Sequence, residues 1–189
     1  MKVNLTLILF LAIGQLFGQT AFSVSAYKMT IKGTSNLHDW ESTVKELRAK
    51  GDFSLQQDKF TALNALSVEV PVKSIKSTKG SIMDNKTYDA LKADSHPNIN
   101  FKLEGVTPIK AQTDGYTVTA SGNLTFAGST KKVELTAKGK SNGDGTITFS
   151  GSQKIKMTDF GIKPPTALMG TMKVGNEVEV VFSVTMKKS

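Results

Sequence analysis

The chain has 189 residues, 24 Lys and Arg against 16 Asp and Glu, a formal net charge of +8, 39 % hydrophobic residues and no cysteine. This is the composition of an ordinary folded domain, and it excludes disulfide frameworks, Cys-ligated zinc, iron–sulfur clusters and thiol catalysis. The positive charge permits acidic partners such as lipid phosphate or nucleic acid, but it bears on association and not on fold.

Met1 and Lys2 open a short positive stretch, and residues 5–16 form an apolar run followed by the small residue Gly18. That layout predicts a secretory signal peptide over residues 1–18, too short for a membrane span, with cleavage near Gly18/Gln19. The remaining residues, 19–189, read as one domain, exported to the periplasm or beyond the cell.

From Ala26 onward the apolar period is two, the spacing at which successive side chains face opposite sides of a sheet. Tyr27, Met29 and Ile31 alternate with Lys28, Thr30 and Lys32. A long strand across residues 39–55 changes parity at a bulge near Glu46/Leu47. Leu66, Val68, Val70 and Val72 follow, with Pro71 marking a bulge or an edge because it cannot donate to a ladder. Between Lys79 and Asp94, Ser81 and Asp84 resemble a capping box, and Met83, Tyr88, Ala90 and Leu91 recur at helical spacing, so one short helix is predicted over about residues 81–93, stopped by Pro97. Ile99, Phe101 and Leu103 begin the second half. Tyr116, Val118, Ala120, Gly122, Leu124 and Phe126 form one face of a long strand, and Val133, Leu135 and Ala137 one face of the next. Ile147, Phe149, Gly151, Gln153, Ile155 and Met157 share a face, as do Val178, Val180, Phe182, Val184 and Met186. Asp114-Gly115, Asn142-Gly143-Asp144-Gly145 and Gly175-Asn176 carry hairpin chemistry between them.

Eight antiparallel strands with one apolar face each predict an all-β protein whose sheet closes into a single barrel. A β-sandwich is the main rival, disfavoured because most connections are short hairpins. An outer-membrane barrel is disfavoured because the faces opposite the apolar ones carry Lys28, Lys32, Lys102, Lys132, Lys154 and Lys156. The apolar wall would stand on the order of 30 Å tall. Gly122, Gly151 and Ala120 beside Phe101, Phe126 and Phe149 fit a tapering cavity and a filled core equally well.

The candidates for chemistry are few. In a strand, His38 and Asp39 point to opposite faces and cannot converge, and Trp40, on the face of Ser42 and Val44, reads as interior. His96 precedes Pro97 at a turn. No HExxH, GxSxG, Walker or GxGxxG pattern occurs, so the protein is not expected to be an enzyme. Nucleic acid is not an expected partner, because the aromatic residues lie on the apolar faces and the lysines are interleaved with glutamates. Lys131-Lys132 and Lys187-Lys188 suit transient contact with an anionic membrane surface. Residues 157–174 form an apolar connection of about 20 residues, punctuated by Pro and Gly, and long connections of this kind are usually functional. Phe160, Ile162, Leu168, Met169 and Met172 would either cap one end of the barrel or gate its mouth, and the flexible methionines favour the gate.

Residues 33–41 (GTSNLHDWE), 68–75 (VEVPVKSI) with Met83-Asp84, 96–101 (HPNINF), 122–131 (GNLTFAGSTK) and 157–162 (MTDFGI) together resemble the YceI-type, polyisoprenoid-binding family of exported lipocalin-like proteins. The likeness spans about residues 21–187 and rests on the order and spacing of these segments. It implies an eight-stranded antiparallel lipocalin-like barrel with an apolar tunnel and no catalytic residues. No cofactor is required; the implied partner is an amphiphilic lipid, such as an isoprenoid quinone, an isoprenyl phosphate or a fatty-acid derivative. The expected tunnel wall comprises Trp40, Phe53, Phe101, Leu103, Leu124, Phe126, Phe149, Ile155, Met157 and Phe182, with Phe160, Leu168 and Met169 at the mouth. The expected function is binding, carriage or storage of a long-chain amphiphile. The alternative is a structural, stress-related or interaction protein with a filled core, and pairing of two copies is left open.

Overall fold

The computed structural model describes residues 20–56 and 59–189. The expected signal peptide, residues 1–18, lies outside the described residues.

Alternation of apolar and polar side chains becomes strand throughout. β1 (Thr20–Ser35) is long enough to serve two neighbours on one side. Its first residues pair with β3 (Arg48–Gln56) and its later ones with β2 (Trp40–Val44), as in Ala21↔Asp52 and Ile31↔Ser42. β4 (Lys59–Pro71) pairs with β3, and beyond a 3₁₀ turn at Val72–Ser74, β5 (Ile75–Ser77) pairs with β2. β6 (Asn98–Val106) and β7 (Lys110–Gln112) both pair with β8 (Gly115–Phe126). β9 (Ser129–Ser141) and β10 (Ile147–Lys156) continue the meander. β11 (Thr166–Ala167) makes only a short hairpin with β12 (Met172–Lys188). β12 pairs with β10 on one side and with β1 on the other, from Phe22↔Lys188 to Ser35↔Val174. Counting β2 with β3, β4 with β5 and β6 with β7, eight antiparallel staves close into a barrel. Closure leaves the long staves no open edge, which a sandwich would have required; the short β5 and β7 each keep a single partner.

Two staves are interrupted at one level. The predicted change of parity near Glu46/Leu47 is the break between β2 and β3, and Pro71 ends β4 at the second break. Lys45 N donates to Ser74 O at 3.0 Å, Ser74 Oγ to Glu46 O at 3.2 Å, and the Tyr27 hydroxyl to Lys45 O at 2.8 Å, so the freed backbone groups are satisfied across the breaks. One expected turn is not a turn. Gly175-Asn176 lies within β12, where the register against β1 slips between Gly33 and Ser35. There the Asn176 side chain accepts from Thr158 N at 3.0 Å and donates to Thr158 Oγ1 at 2.9 Å, fastening the bulge to the preceding connection.

The helix, α1 (Ser81–Ala90), is shorter than expected and begins differently. Gly80, at φ 87°, is the N-cap, and Ser81 makes no capping bond. Asp84, buried, accepts instead from Ser77 N at 2.6 Å, which ties the helix to β5. Lys92 takes positive φ (54°), Ala93 N donates to Tyr88 O and Lys92 N to Asp89 O, so a Schellman-type turn ends the helix well before Pro97. Tyr88 donates to Lys73 O at 2.9 Å and accepts from Lys76 Nζ at 2.6 Å. That bond, more than any other contact, raises the Lys76 pKa above its ordinary value.

The interior has two packed ends. At the end opposite α1, Phe22, Phe53, Phe60 and Phe149 form a plug, with centroids 4.7 Å apart for Phe22–Phe53, 5.6 Å for Phe53–Phe149 and 5.5 Å for Phe60–Phe149, the latter two edge to face. At the α1 end, Phe126 stacks on Phe160 at 4.0 Å above Met157 and Ile162. Between them, glycines carry the rings. A Cβ on Gly122 would stand 2.6 Å from Phe101 Cζ, one on Gly151 3.0 Å from Phe182 Cζ, and one on Gly33 would overlap the Trp40 indole. Each glycine lets a ring lie flat on the wall instead of projecting into the lumen.

Gly122→Ala is therefore expected to destabilise the barrel by about 1–3 kcal/mol, since the new methyl also meets Lys102 O at 2.5 Å and backbone cannot step aside. Urea denaturation with an unchanged slope would measure it; an unchanged midpoint would contradict the glycine argument.

Candidate functional site

A cavity of about 340 Å³ lies between the aromatic plug and α1, within the range of small-molecule binding pockets. Its wall comes from the inward faces of the staves and from one side of α1. Inward residues such as Leu124, Ile155, Val178, Val180 and Phe182 are only half-buried, because they border this space. Lys86 of α1 is the one exposed residue among those lining it. The outlet therefore lies at the helix end, while Phe22, Phe53 and Phe60, each at most 2 % exposed, seal the other.

Of the expected contact residues, Trp40, Phe53, Phe101, Leu124, Phe126, Phe149, Ile155, Met157 and Phe182 line the cavity. Leu103 does not. It is half-buried beside the bulge that interrupts β6 between Leu103 and Gly105. Phe160 is not at the mouth either; its ring lies under Phe126 in the end cap. Met169 points to solvent from a turn at φ 56°. The Leu168 side chain lies outside the described residues. The segment over 157–174 is thus a cap and not a free flap: Met157, Phe160, Ile162 and Met172 are buried, and burying them together removes the cost of exposing four apolar side chains.

Several lining residues were missed although the alternation held their signal. Met29, Ile31, Val178 and Val180 carry the same parity as chosen neighbours, and Gln153 sits between Gly151 and Ile155 on the inward face. Met83, Lys86, Thr87, Ala90 and Leu91 required knowing where α1 docks.

The charged groups stand outside. Lys132 pairs with Glu104 at 3.1 Å and Lys154 with Glu177 at 2.9 Å, and in each pair the partner shifts a pKa: Glu104 is lowered chiefly by its bond with Lys132, and Lys154 is raised chiefly by Glu177. His38 and Asp39 are exposed in the β1–β2 turn, where Ser35 Oγ donates to His38 O at 2.7 Å. The His96 ring packs over Gly128 in the β8–β9 turn. Among the described residues no group of three His, Asp or Glu side chains could hold a metal ion. The arrangement offers an enclosed apolar space, and among the described residues that line it Lys86 is the one with a charged side chain.

The family model described as YceI-like domain matches residues 18–186. Among solved structures, the chain is similar to BcnA of Burkholderia cenocepacia, at 21 % identity and TM-score 0.66 over 84 % of this chain and 95 % of that one. It is also similar to a polyisoprenoid binding domain from Saccharophagus degradans implicated in plant cell wall breakdown, at 12 % identity and TM-score 0.68 over 90 % and 100 % of the two chains. A YceI protein of Campylobacter jejuni matches at 24 % identity and TM-score 0.60 over 78 % and 85 %. These likenesses show the fold. A UPF0312 protein of Pseudomonas aeruginosa is 36 % identical over 104 residues, a stretch that spans 52 % of this chain and 49 % of that protein.

Trp40 is the one tryptophan in the sequence and lines the cavity. An apolar quencher that enters, such as a brominated fatty acid, is expected to quench its emission saturably, whereas acrylamide in water should quench it weakly. Fluorescence titration measures both, and equal quenching by the two would place the indole in solvent.

Proposed function

The chain belongs to the YceI-like domain family, and from that premise we propose that it is an exported, non-catalytic protein that binds a long-chain amphiphile in its barrel and carries or stores it. The observation that supports this reading is the cavity, walled by apolar side chains and sealed at one end by phenylalanines. Moving an apolar chain from water into such a space gains about 0.8 kcal/mol per buried methylene before the costs of association. Isoprenoid quinones, isoprenyl phosphates and fatty-acid derivatives share the required tail. A filled-core structural role fits less well, since the glycine-supported rings keep the lumen open.

The outlet end also suits the source of such a ligand. The large hydrophobic residues exposed among the described residues, Leu37, Ile82 and Met169, all stand there. The two turns that carry Leu37 and Met169 are joined by Asn36, which donates to Thr171 O at 2.9 Å and accepts from Lys173 N at 2.7 Å. Lys79, Lys86, Lys163 and Lys173, on α1, at the start of β12 and on the connections that lead to them, are exposed and without ion pairs among the described residues. Apolar tips within a basic rim match an anionic bilayer surface. A lipid could then pass between bilayer and cavity without crossing water.

Native mass spectrometry of protein purified without detergent is expected to show a stoichiometric long-chain adduct. Val180→Phe, which fills part of the lumen, should weaken uptake about tenfold while leaving the melting temperature near wild type. A bare mass that persists after incubation with isoprenoid quinones and fatty amides would overturn the binding reading. Vesicles containing phosphatidylglycerol should retain the protein in flotation, less so at high salt and least for the Ile82→Ser, Met169→Ser double variant; equal retention by neutral vesicles would argue against the basic rim.

A further inference from the structure

We infer that Ser42 and Gln153 form a head-group subsite inside the cavity, selective for an uncharged oxygen-bearing group such as a hydroxyl, amide or carbonyl. The inference rests on the lipid-binding reading above and adds to it the chemistry and orientation of the ligand.

The cavity wall is apolar except for Ser42, Gln153, and Lys86 and Thr87 of α1. Thr87 Oγ1 already donates to Met83 O within the helix, at 3.1 Å. Ser42 is different: it is 2 % exposed, it lines the cavity, and its hydroxyl makes no hydrogen bond among the described residues. A hydroxyl held away from bulk water without a partner is costly, so the position is unfavourable unless something in the cavity bonds to it. Gln153 occupies the inward face of β10, where an aliphatic residue would continue the pattern of Ile155. Its amide nitrogen donates to Lys154 O at 3.0 Å, leaving its carbonyl oxygen and second N–H available.

Register sets the two at one level of the barrel. Ser42 stands opposite Ile31, Ile31 opposite Val180, and Val180 opposite Gln153. They end one row across four neighbouring staves, about 14 Å along the wall and closer across the curved lumen. From this row toward the plug the lining is apolar, with Met29, Val44, Phe149, Phe182 and Met186. A ligand with one polar end is therefore oriented, its head at the row and its tail toward the phenylalanines.

The subsite is neutral. Ser42 and Gln153 offer O–H and N–H donors and oxygen acceptors, and among the described residues that line the cavity the one cation is Lys86, exposed at the outlet. An unpaired phosphate or carboxylate at the row would lose its hydration without charge compensation. A plain hydrocarbon would leave both polar side chains unmet.

The test compares 1-dodecanol, 1-dodecene and dodecyl phosphate, followed by Trp40 emission and by calorimetry below their micelle concentrations. Wild type is expected to bind the alcohol three- to tenfold more tightly than the alkene, the scale of one hydrogen bond to a buried neutral group. Ser42→Ala should abolish that preference and Gln153→Met reduce it, alcohol affinity falling more than alkene affinity in both, with melting temperatures confirming the fold. Equal binding of alcohol and alkene by wild type would overturn the subsite and leave the lipid-binding reading intact. So would equal losses for both probes in the variants, or tightest binding of dodecyl phosphate with loss in Lys86→Met, which would move head-group recognition to the outlet. Binding of none of the three would overturn the lipid-binding reading itself.

Discussion

The pairing of β12 with both β10 and β1 is the constraint on which the rest depends. Once the first and last strands share a ladder, the apolar faces of eight staves have only each other to face, and the lumen they enclose is set by strand number. Whether that lumen is a core or a site is then a question of side-chain volume. Here the volume is pushed to the ends. Phenylalanines from β1, β3, β4 and β10 crowd one end, and Phe126, Phe160 and α1 narrow the other. In the middle, rings that could have filled the space lie against Gly33, Gly122 and Gly151.

The two broken staves serve the same division. At Lys45–Leu47 and Val72–Ser74 the sheet gives up ladder bonds and recovers them across the gap, and β5 leads from there directly into α1. Asp84 and Tyr88 hold the helix to the backbone of residues 73–77 from two sides. The helix is thus a fixed part of the rim. Its own polar side chains meet the cavity only at Lys86 and Thr87, which is why the lining changes from apolar to polar over so short a distance.

On the proposed reading, a cavity sealed at one end by phenylalanines, with Ser42 and Gln153 at one level of its wall, favours ligands with a single polar terminus. Length and shape of the tail are, on the same proposal, read by the wall between that level and the plug. In that proposal the chemistry that distinguishes one amphiphile from another rests on Ser42 and Gln153, and not on the rings that line the wall.

The eight strands, the parity change near Glu46/Leu47 and the existence of one helix were legible in the sequence because a period of two and a period of 3.6 are local signals. So was most of the wall: parity alone puts Trp40, Phe101, Leu124, Phe126, Phe149, Ile155 and Phe182 on inward faces. What parity cannot give is depth. Phe160 and Met169 share a connection of apolar character, yet one is stacked in the cap and the other is in water, because the turn at Gly161 and the left-handed Met169 send them opposite ways. Gly175-Asn176 has the chemistry of a turn but sits in a strand, since closure against β1 outweighed the local preference. Sequence by itself determined which side of each strand is apolar. Only the closed ladder decided which of those apolar positions meet each other and which border a cavity, because that depends on distances between residues far apart in the chain.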